Sequence, residues 1–438
     1  MADTKTMEYA ESLARLIREE TISVYYNVNP AKFRAFHEVL KKEFPHLFDA
    51  CECEDFEGSL LLKWKGKTAE NPILLMNHMD VVEAGGEWKY PPFSATIVDG
   101  KMYGRGTLDT KGGLWAMLKA ADELCSTGFV PSRDIYFESA CTEETEGSGA
   151  DMISRELQKR NIEFAMTLDE GGMMIYDPVG GADGTFAMIG VGEKGCADLK
   201  FIARSKGGHA STPVKNSPLV RLGRFMVAVE ESHIFKTELS PTVAEMFRRL
   251  APFMKSPLDK LLGNPEKFEP VMKKIIPNVS ATAGAMFRTT LAFTMAHGSD
   301  GLNVMPDEAY VTGNMRFSHH QGGSSSINAV RKLAAKYDVD VEVIDPGFES
   351  AVADFNGKGF KLVENAVKEI FPGVVSVPYI TNTASDSRYF DRVSKQCMRF
   401  APFMISDEQL ESIHGVNENI SLNCLVPAVE FYKYIYTH

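Results

Sequence analysis

Three short apolar segments of this chain each end directly at a histidine or at acidic side chains. The segments and the residues after them are Pro72–Met76 before His78-Met79-Asp80, Asp134–Ala140 before Glu143-Glu144, and Phe164–Leu168 before Asp169. Short apolar runs of this kind are typical of buried strands, and in open α/β sheets functional groups collect beyond the carboxyl ends of the strands. The pattern therefore predicts an α/β fold that gathers these side chains at one edge of a sheet.

Helical segments alternate with these strands. Apolar residues at helical spacing predict helices over Tyr9–Arg18, Phe33–Phe44 and Gly113–Leu124, and Ser59–Lys65 is predicted as a further strand. Such alternation is typical of a mainly parallel sheet with helices on both faces. We therefore expect this architecture for the first part of the chain.

The pattern changes near Gly190. Gly195–Arg204, Ala309–Phe317 and Val339–Ile344 alternate polar and apolar residues as half-exposed strands do, and a helix is predicted from about Ser324 to Tyr337. Polar strand faces predict a small α+β domain with an exposed antiparallel sheet. A chain of 438 residues is long enough for two such domains.

The second domain is predicted to be inserted into the first. We place it at residues 192–349, between residues 1–191 and 350–438 of the first domain, which resumes with a helix near Gly359–Ile370. The Met- and Pro-rich stretch Pro241–Pro277 is longer than a small α+β domain needs. It is interpreted as an insertion that either reshapes a subunit contact or covers a cleft.

Composition argues against several classes of function. The net charge of −12, without a run of Lys and Arg, argues against a nucleic-acid-binding protein. The N-terminus has no basic flank followed by an apolar stretch, and no window approaches the roughly 20 apolar residues that span a bilayer. Seven cysteines at irregular spacings are typical of reduced thiols. We therefore expect a cytoplasmic protein without a membrane partner.

His78 and Asp80 form a His-x-Asp pair at the end of a predicted strand. The imidazole can bind a metal ion, and the carboxylate two residues on can hydrogen-bond its second ring nitrogen. Asp109 lies in the glycine-dense loop Gly104–Gly113, whose glycines allow the positive φ and close backbone approach that a carboxylate bridging two ions requires. Taken alone, the pair also fits a surface histidine beside an acid, and the loop also fits a plain tight turn.

Glu143 and Glu144 are adjacent acids just past an apolar strand, and like charges so close disfavour joint ionisation unless cations lie nearby. Neighbouring side chains at a strand end point in different directions, so we assign Glu144 as a metal ligand and Glu143 as a general base. A solvated helix N-terminus, where acids are also favoured, is the alternative. His414 lies in the loop Ser412–Ser421, where a lone histidine is usually structural or solvated.

These residues indicate a metal site because they occur together in one chain. Two imidazoles and several carboxylates, in short segments rich in Gly, Thr or Asn, suit two divalent cations that share a bridging ligand. With one Glu left over as a base, the set predicts a hydrolase that activates water. The affinity order favours zinc, although cobalt and manganese also suit these ligands.

The same segments resemble the dinuclear zinc metallopeptidase family of aminoacylase, carnosinase-type dipeptidases, succinyl-diaminopimelate desuccinylase and the Gly-X carboxypeptidases. The matching stretches are His78–Val82, Gly104–Gly112, Thr142–Glu144, Leu168–Gly171, Gly207–Ser211, Asn303–Pro306 and Ile413–Glu418. They extend from the first strands almost to the C-terminus. The run from Ser385 to Ser421 looks most like the Gly-X carboxypeptidase and N-acyl-amino-acid hydrolase branch.

The resemblance implies a fold with a catalytic metallopeptidase domain and an inserted lid/dimerisation domain. The implied metal ligands are His78 and Asp169 for one zinc, Glu144 and His414 for the other, and Asp109 as the bridge, with a cis peptide bond at Asp109-Thr110. Each subunit of the implied homodimer would hold two zinc ions.

Five further residues receive implied roles. Asp80 would orient His78, and Glu143 would carry the proton from water to the leaving amine. His209, on the lid/dimerisation domain, would reach a neighbouring subunit's active site and stabilise the oxyanion. Asn303 and Arg388 would bind the substrate carboxylate, for which the planar guanidinium of Arg388 is suited.

The sequence departs from the family at the carboxylate end of the pocket. Thr383-Ala384-Ser385-Asp386 stands where relatives often carry Gly-x-Thr-Asp, so we expect the pocket to differ in shape there. An ordinary surface salt bridge from Arg388 to Asp386 or Asp391 is the alternative to substrate binding. Asp169, rather than Glu, resembles the peptidase and carboxypeptidase members more than aminoacylase.

Three functions follow from these observations. The leading hypothesis is a dizinc exopeptidase or amidohydrolase, of carboxypeptidase or dipeptidase type, that cleaves a small peptide or an N-acyl amino acid with a free carboxylate. A deacylase dedicated to an N-succinyl or N-acetyl intermediate of a biosynthetic pathway is the alternative. A catalytically silent binding protein on the same scaffold is a third hypothesis, and the presence of the base and all five ligands argues against it.

Overall fold

The computed structural model describes residues 3–145, 147–279 and 284–438. The chain divides into two compact units, Met1–Gly192 with Arg249–Asp259 and Ala351–His438, and Glu193–Arg248 with Lys260–Ser350. The predicted boundaries after residues 191 and 349 each lie one residue before these. Among the described residues, no helix combines the length and the apolar character needed to cross a membrane.

The strands of the described residues are, in chain order, β1 (Cys51–Phe56), β2 (Ser59–Trp64), β3 (Ile73–Met76), β4 (Thr96–Val98), β5 (Lys101–Tyr103), β6 (Ile135–Ser139), β7 (Met166–Asp169), β8 (Met174–Tyr176), β9 (Thr185–Glu193), β10 (Gly195–Arg204), β11 (Gly208–His209), β12 (Thr290–His297), β13 (Val304–Met305), β14 (Glu308–Phe317), β15 (Asp340–Phe348), β16 (Val375–Thr381), β17 (Cys397–Arg399) and β18 (Asn419–Ser421). Every strand predicted from the sequence is among them.

The α-helices of the described residues are α1 (Thr4–Ile17), α2 (Pro30–Glu43), α3 (Pro45–Ala50), α4 (Lys111–Ser126), α5 (Ser148–Lys159), α6 (Pro218–Glu231), α7 (Pro241–Leu250), α8 (Leu258–Leu262), α9 (Pro265–Val279), α10 (Gly323–Ala334), α11 (Lys358–Ile370), α12 (Ser387–Phe390), α13 (Asp407–Ser412) and α14 (Leu425–Thr437). The predicted helices are present, and short 3₁₀ turns lie at Ala251–Phe253, Ala335–Tyr337 and Leu422–Cys424.

The main sheet belongs to the first unit and is mixed. Its order is β1-β2-β6-β3-β7-β17-β9-β16, and β8 pairs with β9. The central strands β6, β3, β7 and β17 are parallel. The β1–β2 pair at one edge is antiparallel because only Glu57 and Gly58 connect its strands, both at positive φ. The α/β prediction is confirmed, and the parallel arrangement applies to the centre of the sheet.

Helices cover both faces of this sheet, as predicted. Along β3, Ile73 and Leu75 pack into a core with α1, α4 and α14, whereas Leu74 and Met76 pack into a second core with α5. Side chains of a strand point alternately to its two faces, so a strand that is apolar throughout can fill both cores.

The second unit carries an antiparallel sheet of order β12-β14-β10-β15. Leu199 and Phe201 of β10 pack against Phe225 of α6 and Val330 of α10. Along β15, half-buried and exposed residues alternate over much of the strand. The alternation read from the sequence therefore corresponds to a sheet covered by helices on one face.

Residues 249–259 differ from the prediction, which placed them in the inserted domain. The ring of Phe253 packs edge-on against Phe186 at 5.1 Å between centroids, and its carbonyl accepts from the N–H of Asp183 at 3.0 Å. Arg249 Nη1 donates to the carbonyl of Ser376 at 2.9 Å. These contacts assign the segment to the first unit, whereas α9 belongs to the second.

Candidate metal centre

The segments predicted to carry the site lie side by side. Strands β3, β6 and β7 are parallel, so their carboxyl ends lie at one edge of the main sheet. His78 follows β3, Glu143 follows β6, and Asp169 is the last residue of β7. The fold therefore brings together residues that are up to 91 positions apart in the sequence.

Asp109 lies between two imidazoles. Its Oδ1 is 3.0 Å from Nε2 of His78, and its Oδ2 is 2.9 Å from Nε2 of His414. Each carboxylate oxygen thus faces a different histidine, which is the arrangement expected of a carboxylate that bridges two ions. The peptide bond between Asp109 and Thr110 is cis, as the family resemblance implied.

Glu144 lies on the His414 side of this cluster. Its Oε2 is 3.0 Å from Nε2 of His414, and its Oε1 is buried without a hydrogen-bond partner among the described residues. His78, Asp109 and Glu144 offer ligand atoms that lie within 4.8 Å of one another. A buried carboxylate oxygen without a donor is costly unless a cation lies beside it, and a set of imidazole and carboxylate donors suits zinc. These residues therefore fit a divalent metal ion.

The glycine-rich loop allows this approach of Asp109 to the end of β3. Gly106 has a φ of +85°, and a Cβ at Gly113 would collide with Oδ1 of Asn77, the residue before His78. The hydroxyl of Thr110 donates to the same Asn77 oxygen at 3.1 Å. Both uses of glycine predicted for this loop are present.

Asp80 is fully buried and holds the turn that carries the two glutamates. Its Oδ1 accepts from the N–H of Glu143 at 3.2 Å, and its Oδ2 from the N–H of Glu144 at 3.1 Å. Nδ1 of His78 lies 2.9 Å from the backbone carbonyl oxygen of Asp80 but 3.4 Å from Oδ1. The carboxylate predicted to orient His78 is thus also engaged by the Glu143-Glu144 turn, and the closest partner of the ring is a carbonyl.

Ser23 is a residue that the sequence analysis missed. Its buried hydroxyl donates to Oδ2 of Asp80 at 2.6 Å. The segment is held beside the end of β3 because Ile22 pairs with Val81 and Thr21 donates to the carbonyl of Met79. No periodicity marks these residues in the sequence, so only the tertiary structure reveals the contact.

Asp169 is the predicted ligand whose surroundings are most acidic. Its Oδ2 accepts from the N–H of Ser387 at 2.8 Å, and its Oδ1 from the N–H of Glu170 at 2.9 Å. Burial, together with neighbouring carboxylates, raises the pKa values of Glu138, Glu170 and Asp386 well above their usual range. One oxygen of Glu138 and both of Asp386 are buried without hydrogen-bond partners among the described residues. This concentration of acids favours cations at the same edge of the sheet.

The histidines supply positive charge to the cluster. Burial alone would lower the pKa of His78, but the hydrogen bond with Asp109 helps to raise it well above its usual value. Hydrogen bonds with Asp109 and Glu144 raise the pKa of His414 to about 10. Burial raises the pKa of Glu143 to about 8, although His78 opposes the shift. Metal ions bind the neutral imidazole, so they would take the place of these protons.

Arg388 lies beside the glutamate turn. Its guanidinium stacks 4.7 Å from the ring centroid of Tyr389, Nη1 donates to the carbonyl of Ser385, and Nη2 donates to the Tyr389 hydroxyl. A Cβ at Gly147 would lie 2.9 Å from Nη2 of Arg388. Gly147 therefore lies directly against the residue predicted to bind a carboxylate.

His209 and Asn303 lie together in the second unit. His209 pairs with Val304 in the β11–β13 ribbon, and the N–H of Ala210 donates to the carbonyl of Asn303 at 2.9 Å. Nδ1 of His209 is 2.7 Å from the hydroxyl of Ser211. The two residues predicted to act from the inserted domain thus share one exposed ribbon.

Comparison with known proteins identifies relatives over the whole chain. A model of peptidase family M20/M25/M40 matches residues 74–438. The chain is 32% identical over 400 residues to the human N-fatty-acyl-amino acid synthase/hydrolase PM20D1, covering 90% of this chain and 76% of that protein. It is 31% identical over 444 residues to probable carboxypeptidase S-like 2 of Dictyostelium discoideum, covering 98% of this chain and 84% of that protein.

Solved structures share the fold at low sequence identity. An M20 family metallo-carboxypeptidase, Sso-CP2 from Sulfolobus solfataricus, superimposes with a TM-score of 0.73 at 18% identity over 98% of both chains. Human carnosine dipeptidase 1 gives a TM-score of 0.68 at 14% identity, covering 98% of this chain and 95% of that one. The resemblance read from the motifs, and with it the metal-dependent hydrolase, is confirmed. The chain belongs to peptidase family M20/M25/M40.

Proposed function

We propose that this protein hydrolyses the amide bond of N-acyl amino acids, or of small peptides with a free C-terminal carboxylate, at a dinuclear zinc centre. The observation that carries the proposal is the position of Asp109, whose two oxygens face His78 and His414 separately at 3.0 and 2.9 Å. A single ion would not require a carboxylate shared between two imidazoles.

In this proposal His78 and Asp169 hold one zinc ion, Glu144 and His414 hold the other, and Asp109 lies between them. Cobalt or manganese can substitute, because the same nitrogen and oxygen donors suit all three metals. When bound, the ions lower the pKa of the attacking water and polarise the scissile carbonyl.

Glu143 is proposed as the general base. Its carboxylate lies 4.0 Å from Nε2 of His78, and its N–H donates to Asp80, so the side chain lies beside the proposed ligands. It accepts a proton from the attacking water and delivers that proton to the leaving amine. Burial raises the pKa of this carboxyl group to about 8. Nearby cations favour the ionised form and lower this value again.

The substrate class rests on Arg388 and on the relatives. N-acyl amino acids and peptides share a carboxylate next to the amide bond, and a guanidinium recognises such a group with two parallel hydrogen bonds. The name of the human relative includes N-fatty-acyl-amino acid hydrolysis, and that of the Dictyostelium relative a carboxypeptidase. We propose Asn303 as a second carboxylate contact and His209 as the oxyanion donor.

We also propose a cytoplasmic homodimer formed through the second unit, in which each subunit supplies His209 to the other. Removal of an oxyanion donor typically costs 10²–10³ in kcat. His209→Ala should therefore reduce kcat about 100-fold with little change in KM, and light scattering should report a dimer. A monomer, or an unchanged kcat, would contradict this part of the proposal.

The main test combines activity and zinc content. N-acyl amino acids, dipeptides and tripeptides are incubated with the zinc-loaded protein, and the products are identified by mass spectrometry. Glu143→Gln should reduce kcat by about 10²–10⁴-fold while two zinc ions per chain remain, because it removes a proton acceptor and not a ligand. Glu123→Gln, a carboxylate paired with Lys433 at the other end of α4, is the control. Activity of Glu143→Gln within tenfold of the original would overturn the assignment of the base.

A further inference from the structure

The backbone around His414 is irregular. It lies between α13 and β18, the His414 side chain is 55% exposed, and the backbone of His414 has a φ of +60°. Asn417 in the same loop has a φ of +61°. Residues other than glycine in this region are held there by their surroundings. The N–H of Gly415 ties this backbone to the carbonyl of Ser412 at the end of α13, and contacts with a second loop add to this support.

Glu418 connects this loop to the glycine-rich loop of Asp109. Its side chain has no exposed surface. Oε1 accepts from the N–H of Leu108 at 2.8 Å and of Asp109 at 3.2 Å, and Oε2 accepts from the N–H of Gly106 at 3.0 Å and from Nη1 of Arg105 at 2.8 Å. Charge-assisted hydrogen bonds of this kind are stronger than neutral ones. One carboxylate thus satisfies three backbone donors of the metal-binding loop.

Arg105 extends the connection to the residue beside His414. Its Nη2 donates to the carbonyl of Gly415 at 2.7 Å, while Nη1 is engaged by Glu418. The guanidinium also stacks 5.2 Å from the ring of Trp88. The planar guanidinium of Arg105 can donate to two acceptors at once. The ammonium of a lysine, on a flexible side chain, does this less well. Buried ion pairs stabilise folds weakly on balance, whereas their geometry is specific.

The His78 side and the His414 side of the centre depend on the Arg105–Glu418 ion pair to different degrees. His78 follows β3 directly and is supported by Asp80. Asp109 keeps a second support, since the hydroxyl of the next residue, Thr110, donates to Asn77. The backbone next to His414 is connected to the Asp109 loop by the Arg105 bond to Gly415, and the N–H of Gly104 adds a second connection at the carbonyl of Glu418, at 2.9 Å.

We infer that Arg105 and Glu418 are positioning residues that set the metal affinity of the Glu144–His414 side of the centre and leave the His78–Asp169 side largely unchanged. The inference rests on the proposed function, because it presupposes two metal positions. It assigns a role to two residues outside the ligands, the base and the substrate contacts.

The test is a zinc titration of the metal-free full-length protein at buffered free zinc concentrations, read as bound zinc by mass spectrometry of the metal. Loss of groups that support ligands typically costs 10–100-fold in metal affinity. Glu418→Gln and Arg105→Lys should each weaken one zinc ion about 10–100-fold and leave the other within threefold of the original. Glu123→Gln, the control ion-pair variant, should bind both as the original does. Circular dichroism establishes whether each variant folds. If Glu418→Gln does not fold, the inference is tested by Arg105→Lys, which retains the positive charge.

A second measurement identifies the affected ion. In a His414→Ala background, Arg105→Lys should cause no further loss of zinc affinity, because both changes act on the same position. Equal weakening of both ions, unchanged affinity of both, or additive losses in the double variant would overturn the inference. An original protein that binds fewer than two zinc ions would overturn the dinuclear centre itself, which is a separate and recognisable result.

Discussion

The two histidines that face Asp109 occupy opposite surroundings. The side chain of His78 is 1% exposed and follows a central strand of the main sheet, whereas that of His414 is 55% exposed and lies in a loop with a left-handed backbone. Both nevertheless lie about equally far from Asp109, at 3.0 and 2.9 Å. The comparison teaches that a symmetric ligand geometry can be built from one half that the sheet preorganises and another that local hydrogen bonds hold.

The largest effect on zinc content and activity is expected from His78→Ala, on the buried side of the centre. This change removes a buried imidazole that faces both Asp109 and Glu143, so both carboxylates lose a positive partner. We expect loss of both zinc ions and a decrease in kcat/KM of more than about 100-fold, the upper end of what a supporting group alone costs. Zinc content and kinetics measure it. A His78→Ala variant that keeps two zinc ions would contradict the proposed difference between the His78 side and the His414 side.

His414→Ala should affect a single ion. Because the side chain is more than half exposed, its loss leaves the packing of the sheet and its core intact, so the metal-free variant should still fold, although it loses the ion pairs of His414 with Asp109 and Glu144. One zinc ion should remain bound, while kcat falls about 100-fold or more because the second ion is lost. Calorimetric unfolding and zinc analysis test both statements. Loss of both ions would show that the centre binds zinc as an indivisible unit.

Ser23→Ala tests whether the hydrogen bond from Ser23 to Asp80 supports the buried His78 side of the centre. The hydroxyl of Ser23 donates to Asp80 at 2.6 Å, and the backbone carbonyl of Asp80 contacts the ring of His78. We expect about tenfold weaker binding of the zinc ion proposed to bind His78 and Asp169, and a smaller effect on the other ion. Ser94→Ala, which removes an exposed hydroxyl bonded to the carbonyl of Pro91, is the matched control. Equal effects of the two variants would exclude a role for Ser23.

The smallest effect is expected from pH. The pKa of His414 is raised to about 10 and that of Glu143 to about 8, both above their ordinary values. The folded protein therefore binds more protons than the unfolded chain in this window, and without zinc its stability should fall as the pH rises from about 6 to 9. Zinc binding releases protons, so the stabilisation by zinc should grow over the same range. Thermal unfolding with zinc and with a chelator measures both trends, and parallel curves would contradict the electrostatic description.

Much of the fold could be predicted because its strands are apolar and end at polar side chains. The bounds of β10 agree with the prediction at Gly195–Arg204, and β3 begins one residue after the predicted strand. Residues 249–259 were placed in the wrong unit, because the aromatic contact of Phe253 with Phe186 joins positions far apart in the sequence. Helical periodicity carries no information about which body an amphipathic segment packs against.

In the candidate site too, some features could be predicted from the sequence and others could not. The six residues predicted to bind metal or to act as the base could be proposed from the sequence, because each combines a particular donor chemistry with a particular type of loop. Ser23 could not, because a hydroxyl in an irregular segment has no signature before the segment pairs with the end of β3. The engagement of Asp80 by the glutamate turn was equally invisible.

The sequence by itself determined which donor side chains are present, the strand ends that several of them follow and the family to which the chain belongs. Only the tertiary structure decided how these ligands are supported. It placed one oxygen of Asp109 against each histidine, and it buried Arg105 and Glu418 between two loops more than 300 residues apart. The physical reason is that ligand identity is a property of single side chains, whereas their relative position depends on long-range packing and hydrogen bonds that no local pattern encodes.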